Sequence, residues 1–188
     1  MPLSLLGLKY LYSNILIITI LIIGGRISSY SIVISIAQQT LVLYDGGAVL
    51  NEWSISSSFA GAGNAENSGK TPLGSHRVRA KIGDSQPINA VFVGRRPTGE
   101  VYSSDLAEQF PLRDWILTRI LWLCGNEAGY NRLGSVDSMK RFIYIHGTPD
   151  SEPMGRPLSH GCIRMRNQDV VELFNLVSVG VEVLITVD

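Results

Sequence analysis

The runs Ser31-Ile32-Val33-Ile34-Ser35-Ile36 and Thr40-Leu41-Val42-Leu43-Tyr44 are rich in β-branched and aliphatic residues, and Asp45-Gly46-Gly47 separates the second from Ala48-Val49-Leu50. Side chains branched at Cβ pack well on a pleated surface, and an Asp-Gly pair supplies the positive φ angles of a tight hairpin turn. A meander therefore opens the folded part of the chain, and further strands are legible downstream. Trp53 to Phe59 continues extended, and His76, Val78, Ala80 and Ile82 alternate with Arg77, Arg79 and Lys81 as in a half-buried strand. His76 falls on the apolar side and reads as a packing residue. Val181 to Val187 reads as a final strand. The polar, Gly-rich stretch 61–70 is a loop that ends in the turn Thr71-Pro72-Leu73-Gly74.

Two segments read as helices. Leu112, Trp115, Ile116, Ile120 and Leu123 recur at helical spacing, Pro111 and Asp114 sit early and Gly125 stands at the end. That pattern predicts a helix over 111–124, packed on the core or laid over a cleft as a lid. Cys124 would close it as a buried structural thiol. After the polar stretch 126–136, Asn167 is placed to cap a second helix whose Val170, Val171, Leu173, Phe174 and Val177 face inward, with Gly180 closing it. The expected fold class is mainly β with short helices. With 188 residues and 45% hydrophobic content, the chain can bury one substantial core, assigned to residues 30–188.

Residues 1–29 form a separate unit. Lys9 and Arg26 flank an apolar stretch, 10–25, whose centre runs Ile15-Leu16-Ile17-Ile18-Thr19-Ile20-Leu21-Ile22-Ile23. Its length falls between a signal-peptide core and a spanning helix, and it lacks the period of an amphipathic element. The expectation is an N-terminal hydrophobic helix acting as an uncleaved membrane anchor, with secretion after signal cleavage as the alternative. Either places the remaining domain on the outer, periplasmic or cell-envelope side of the cytoplasmic membrane. Lys plus Arg equals Asp plus Glu at 16 each, so formal net charge is zero. No basic stripe offers a surface to a phosphate backbone, which argues against nucleic acid as a partner. A monomer is expected.

Chemistry concentrates near the C-terminus. Ile143-Tyr144-Ile145-His146-Gly147-Thr148 is followed by a Pro/Gly/Ser-rich loop and then by Ser159-His160-Gly161-Cys162-Ile163-Arg164-Met165. A thiol at its free pKa is mostly protonated at neutral pH, and an imidazole within reach can turn it into a nucleophile. Cys162 with His146 or His160 therefore points to acyl transfer. Two plainer readings compete, a buried thiol beside a core histidine, and a zinc site made of His146, His160 and Cys162. The zinc reading lacks both CxxC and HExxH spacing, so no metal or other cofactor is expected.

The string His146-Gly147-Thr148, a loop, then Ser159-His160-Gly161-Cys162-Ile163-Arg164 closely resembles the signature of the L,D-transpeptidase catalytic domain family of YkuD type. The likeness extends to Lys70-Thr71-Pro72-Leu73-Gly74 and Asn167-Gln168-Asp169-Val170, covering about residues 31 to 187. Arg164 stands where some members carry asparagine. The resemblance implies a β-sandwich catalytic domain that acts on peptidoglycan stem peptides as donor and acceptor. It implies that Cys162 forms a thioester as terminal D-Ala leaves, and that a neighbouring stem's amine resolves it into a 3→3 cross-link. His146 would be the base, oriented by the Gly147 carbonyl, and Gly161 and Cys162 N–H groups would form the oxyanion hole. His160 would buttress the turn or line the hole, Ser159 would hydrogen-bond nearby against substrate, and Arg164 would either bind a substrate carboxylate as a fork or form a structural salt bridge. Acylation by carbapenems is also implied. The same residues would serve an L,D-carboxypeptidase with water as acceptor, and a non-catalytic wall-binding module is the third class.

Overall fold

The computed structural model describes residues 29–188, and the apolar stretch 10–25 lies outside them. Among the described residues no helix is long and apolar enough to cross a membrane. The strands are β1 (Tyr30–Ser35), β2 (Thr40–Asp45), β3 (Ala48–Ser54), β4 (Gly74–Ile82), β5 (Ala90–Val93), β6 (Arg96–Val101), β7 (Ile116–Gly125), β8 (Tyr144–Gly147), β9 (Ile163–Met165) and β10 (Glu182–Thr186). Among the described residues two helices interrupt them, α1 (Ser104–Gln109) and α2 (Asn167–Leu176), with a 3₁₀ turn at Gly134–Val136.

The meander forms as its residues demand. β1 pairs antiparallel with β2, and β2 with β3, across a turn in which Gly46 and Gly47 take φ of 58° and 87°. Ile32, Ile34, Leu41 and Leu43 point from it into the core. Hydrogen bonding then continues in the order β3-β2-β1-β10-β4-β7-β5-β6, with β8 attached to β7 and β9 to β8. Among the described residues all ten strands thus belong to one branched, hydrogen-bonded sheet, and the fold is mainly β with short helices as expected. β10 returns parallel to β1, which places the chain's last strand at the centre of the sheet. α2 buries Val170, Leu173 and Phe174 against the same core that takes Ile145, Ile163 and Met165 from β8 and β9.

The helix expected over 111–124 is absent. Residues 116–125 are strand β7, and Leu112 is 98% exposed outside any element. β4 and β5 take one edge of β7 and β8 the other, while side chains on both faces are buried. A strand covered on both faces reads as a nearly continuous apolar run, in which some members fall at helical spacing without a helix being present. Cys124 accordingly sits at a strand end, buried, with its S–H donating to the Gly125 carbonyl at 3.4 Å. Asn167 is also not a cap. Arg166 occupies the N-cap position of α2, and the Asn167 side chain turns inward. α1 is an element that hydrophobic spacing does not announce, because none of its residues is buried. Its signal is the N-cap, Ser103, whose hydroxyl accepts the Leu106 N–H at 3.2 Å.

Candidate active site

β8 and β9 run parallel in the register Ile145↔Ile163, His146↔Arg164 and Gly147↔Met165. Residues opposite each other share a face, and successive residues alternate. Ile143, Ile145, Ile163 and Met165 therefore enter the main core, while Tyr144, His146, Cys162 and Arg164 face the other way. On that side the half-buried Cys162 packs against a smaller apolar cluster of Ala90, Phe92, Ile120 and Tyr144. The parallel pairing thus brings together two sequence segments that lie a loop apart.

The turn before Cys162 is built from several short hydrogen bonds. The Ser159 hydroxyl donates to the Cys162 carbonyl at 2.5 Å and accepts the Gly161 N–H at 3.2 Å. Gly161 has φ of +129°, a conformation open to glycine and strained for other residues. Thr71 donates to the Gly161 carbonyl at 3.1 Å and accepts the Ser58 N–H at 3.0 Å, so the distant Thr71-Pro72 turn braces the cysteine turn. Ser159, expected against substrate, is buried and occupied inside this turn. Of the two N–H groups expected in the oxyanion hole, Gly161 is taken by Ser159, and the Cys162 N–H has no acceptor among the described residues.

His146 is 1% exposed, and its Nδ1 lies 2.8 Å from the Gly147 carbonyl. A carbonyl only accepts, so Nδ1 carries the proton and Nε2 of the neutral ring is left as an acceptor. Burial pushes His146 down to about 4, against the opposing pull of the Gly147 carbonyl and Asp114. Burial likewise pushes the Cys162 thiol up to about 12, opposed by the Tyr144 N–H and by the guanidinium groups of Arg164 and Arg141. The sulfur receives the Tyr144 N–H and donates its own proton to the Phe142 carbonyl, each at 3.4 Å. Phe142 takes φ of +58°, an unusual value for an aromatic residue.

Arg164 does not present a free fork. It is 8% exposed and donates to Asp114 at 2.7 Å, with Glu152 3.8 Å away. His160 stands at the rim, its side chain 66% exposed, with Nδ1 3.9 Å from Asp114 and its ring edge-on to Phe59. It lines two clefts, one with Glu66, Asn67, Lys140 and Arg141, the other with Leu112, Arg113, Asp114 and Glu152. Among the described residues no group of three His, Cys, Asp or Glu side chains is placed to hold a metal. Thr71, Asp114 and Arg141 are site residues that the motif did not announce, because they reach it only through the fold. Thr71 alone had a signal, the turn upstream.

A family model described as the L,D-transpeptidase catalytic domain matches residues 29–185. The chain is 52% identical over 48 residues to YqjB of Bacillus subtilis and 47% identical over 47 residues to YkuD of Bacillus licheniformis, both named as putative L,D-transpeptidases. Those stretches cover 26% and 25% of this chain, and only 27% and 28% of the two relatives. L,D-transpeptidase 3 from Mycobacterium tuberculosis, solved with a faropenem-derived adduct, superposes with a TM-score of 0.51 at 18% identity. The match spans 85% of this chain and 60% of that one, and it speaks for a common fold.

Proposed function

The chain belongs to the L,D-transpeptidase catalytic domain family, and from that premise we propose that it is an L,D-transpeptidase acting on peptidoglycan stem peptides through a Cys162 thioester. The observation that carries the reading is the shared face of β8 and β9. It puts Cys162 and His146 on one face of the sheet, and the proton of that histidine lies on Nδ1, facing the Gly147 carbonyl. In this mechanism the Cys162 S–H turns away from Phe142 and gives its proton to Nε2 of His146 as sulfur attacks the carbonyl before the terminal D-Ala. The oxyanion of the tetrahedral intermediate takes the Cys162 N–H. Collapse breaks the C–N bond, the D-Ala amine leaves with the proton from His146, and the acyl group remains on sulfur. An acceptor amine, deprotonated through His146, then displaces the thiolate and forms the 3→3 cross-link.

Incubation of the full chain with a disaccharide-tetrapeptide, followed by mass spectrometry, distinguishes the outcomes. Cross-linked dimers are expected. Tripeptide alone would mean that water is the acceptor, and unchanged substrate would mean a binding module. The apolar stretch 10–25 supports a place for this domain outside the cytoplasmic membrane. A reporter fused after Asp188 is expected to work only on the outer side, and activity of a cytoplasm-only reporter would contradict that placement.

A further inference from the structure

Beside the Gly147 backbone lies a buried polar pair that the mechanism above leaves unused. Asn167 is 1% exposed and Thr118 is fully buried. The Thr118 hydroxyl donates to Asn167 Oδ1 and accepts the Asn89 N–H at 2.9 Å. Asn167 Nδ2 donates to the Thr148 carbonyl at 2.8 Å and meets Asp150 at 3.3 Å. Thr118 reaches this position by adopting φ of +66°, where the β7–β8 register shifts between Leu117 and Ile120. That conformation is an outlier for a β-branched residue, and such strain persists only where the surroundings over-determine it.

These groups enclose one peptide unit. A Cβ on Gly147 would lie 2.5 Å from Asn167 Oδ1, 2.8 Å from the Leu117 carbonyl and 3.2 Å from Thr118 Cβ, so the Gly147 backbone rests directly on the pair. Across the Gly147–Thr148 peptide the C=O and N–H point in opposite directions. The Thr148 N–H is held by the Met165 carbonyl at 3.2 Å, and the Thr148 carbonyl is held by Asn167. With both ends of Thr148 pinned and Gly147 backed by Asn167 and Thr118, the Gly147 carbonyl is left one direction, toward His146 Nδ1.

We propose that Thr118 and Asn167 are positioning residues of the active site, which act through the Gly147 carbonyl to keep the His146 proton on Nδ1 and Nε2 free to take the thiol proton. The proposal rests on the acyl-transfer reading of Cys162 and His146, but its primary readout needs no substrate. The ring's tautomer is read from the ¹⁵N shifts of labelled histidine in the full chain. Wild type is expected to show one tautomer, protonated at Nδ1. Thr118→Val keeps the shape of the side chain and removes the hydroxyl, and is expected to show a mixture of tautomers. Its alkylation of Cys162 by iodoacetamide, and its D-Ala release from tetrapeptide, should fall about 10- to 100-fold with KM little changed, as small misplacements of a catalytic group do. Thr118→Ser restores the hydroxyl and should restore both readouts. Asn167→Ala carries the same expectation as Thr118→Val and stands in for it should that variant not fold. A single Nδ1 tautomer in the folded Thr118→Val or Asn167→Ala protein, or a Thr118→Ser variant as defective as Thr118→Val, would overturn the proposal. If wild type shows the expected tautomer but releases no D-Ala, the acyl-transfer reading fails while the positioning role stands.

Discussion

Burial lowers the His146 ring and raises the Cys162 thiol, and both directions favour thiol and imidazole over a charge-separated pair. In the proposed mechanism sulfur becomes a nucleophile only as its proton moves to Nε2, with His146 as general base within the attack itself. Alkylation of Cys162 by iodoacetamide is accordingly expected to be slow at pH 7 and to climb as pH rises past 9. A fast rate, constant from pH 5 to 8, would show a resting ion pair instead. His146→Ala should keep the fold and slow acylation by about 10²- to 10⁴-fold, the usual weight of a general base. At Gly147 an added methyl group would sit 2.5 Å from Asn167 Oδ1 and 2.8 Å from the Leu117 carbonyl. Gly147→Ala should therefore cost about 1 to 3 kcal/mol in urea unfolding, the range of an overpacked core, and lower activity as well. Cys162, His146 and Gly147 were legible because they lie within one short signature. Thr118 and Asp114 were not, since no local pattern says that residues about 30 positions before His146 will reach that signature, and Arg141, just ahead of it, belongs to no pattern of its own.

At the scale of elements, periodicity served where a strand has one covered face and failed where it has two. β1, β2 and β4 alternate or sit beside a strong turn, and each was readable. β7 is enclosed by β4, β5 and β8 at its edges and by side chains on both faces, and its spacing imitated a helix. The β5–β6 hairpin turns at Gly94 and Arg95, both with positive φ, and Arg95 is an uncommon residue for that conformation, so its turn carried a weak signal. The difference between helix and strand over 116–125 can be measured. Leu121 is fully buried in β7, so Leu121→Ala should cost about 2 to 5 kcal/mol in urea unfolding. Leu112 is nearly fully exposed, and Leu112→Ala should stay within about 0.5 kcal/mol of wild type. Equal, large losses at both positions would restore the helix.

Over the whole molecule, two of the three histidines are buried and neutral. His76 is fully enclosed, bonded to the Gly74 carbonyl at 3.0 Å and to Ser138 at 2.9 Å, and burial lowers it to about 4, as it does His146. Both have folded values below the 6.5 of the unfolded chain. Between those limits the unfolded state binds more protons, so stability rises with pH there. The contribution is full above about pH 6.5 and is lost as pH falls toward 4. Thermal midpoints should drop across that window, and His76→Gln should flatten the drop; a midpoint constant from pH 7 to 4 would contradict the buried neutral rings. In the proposed mechanism one sheet, by pairing β8 with β9, makes Cys162 the acyl carrier. Intact mass after treatment with a carbapenem tests it most directly. Wild type should gain the mass of one covalent adduct and Cys162→Ala none; an adduct that persists in Cys162→Ala would contradict the assignment and the mechanism built on it.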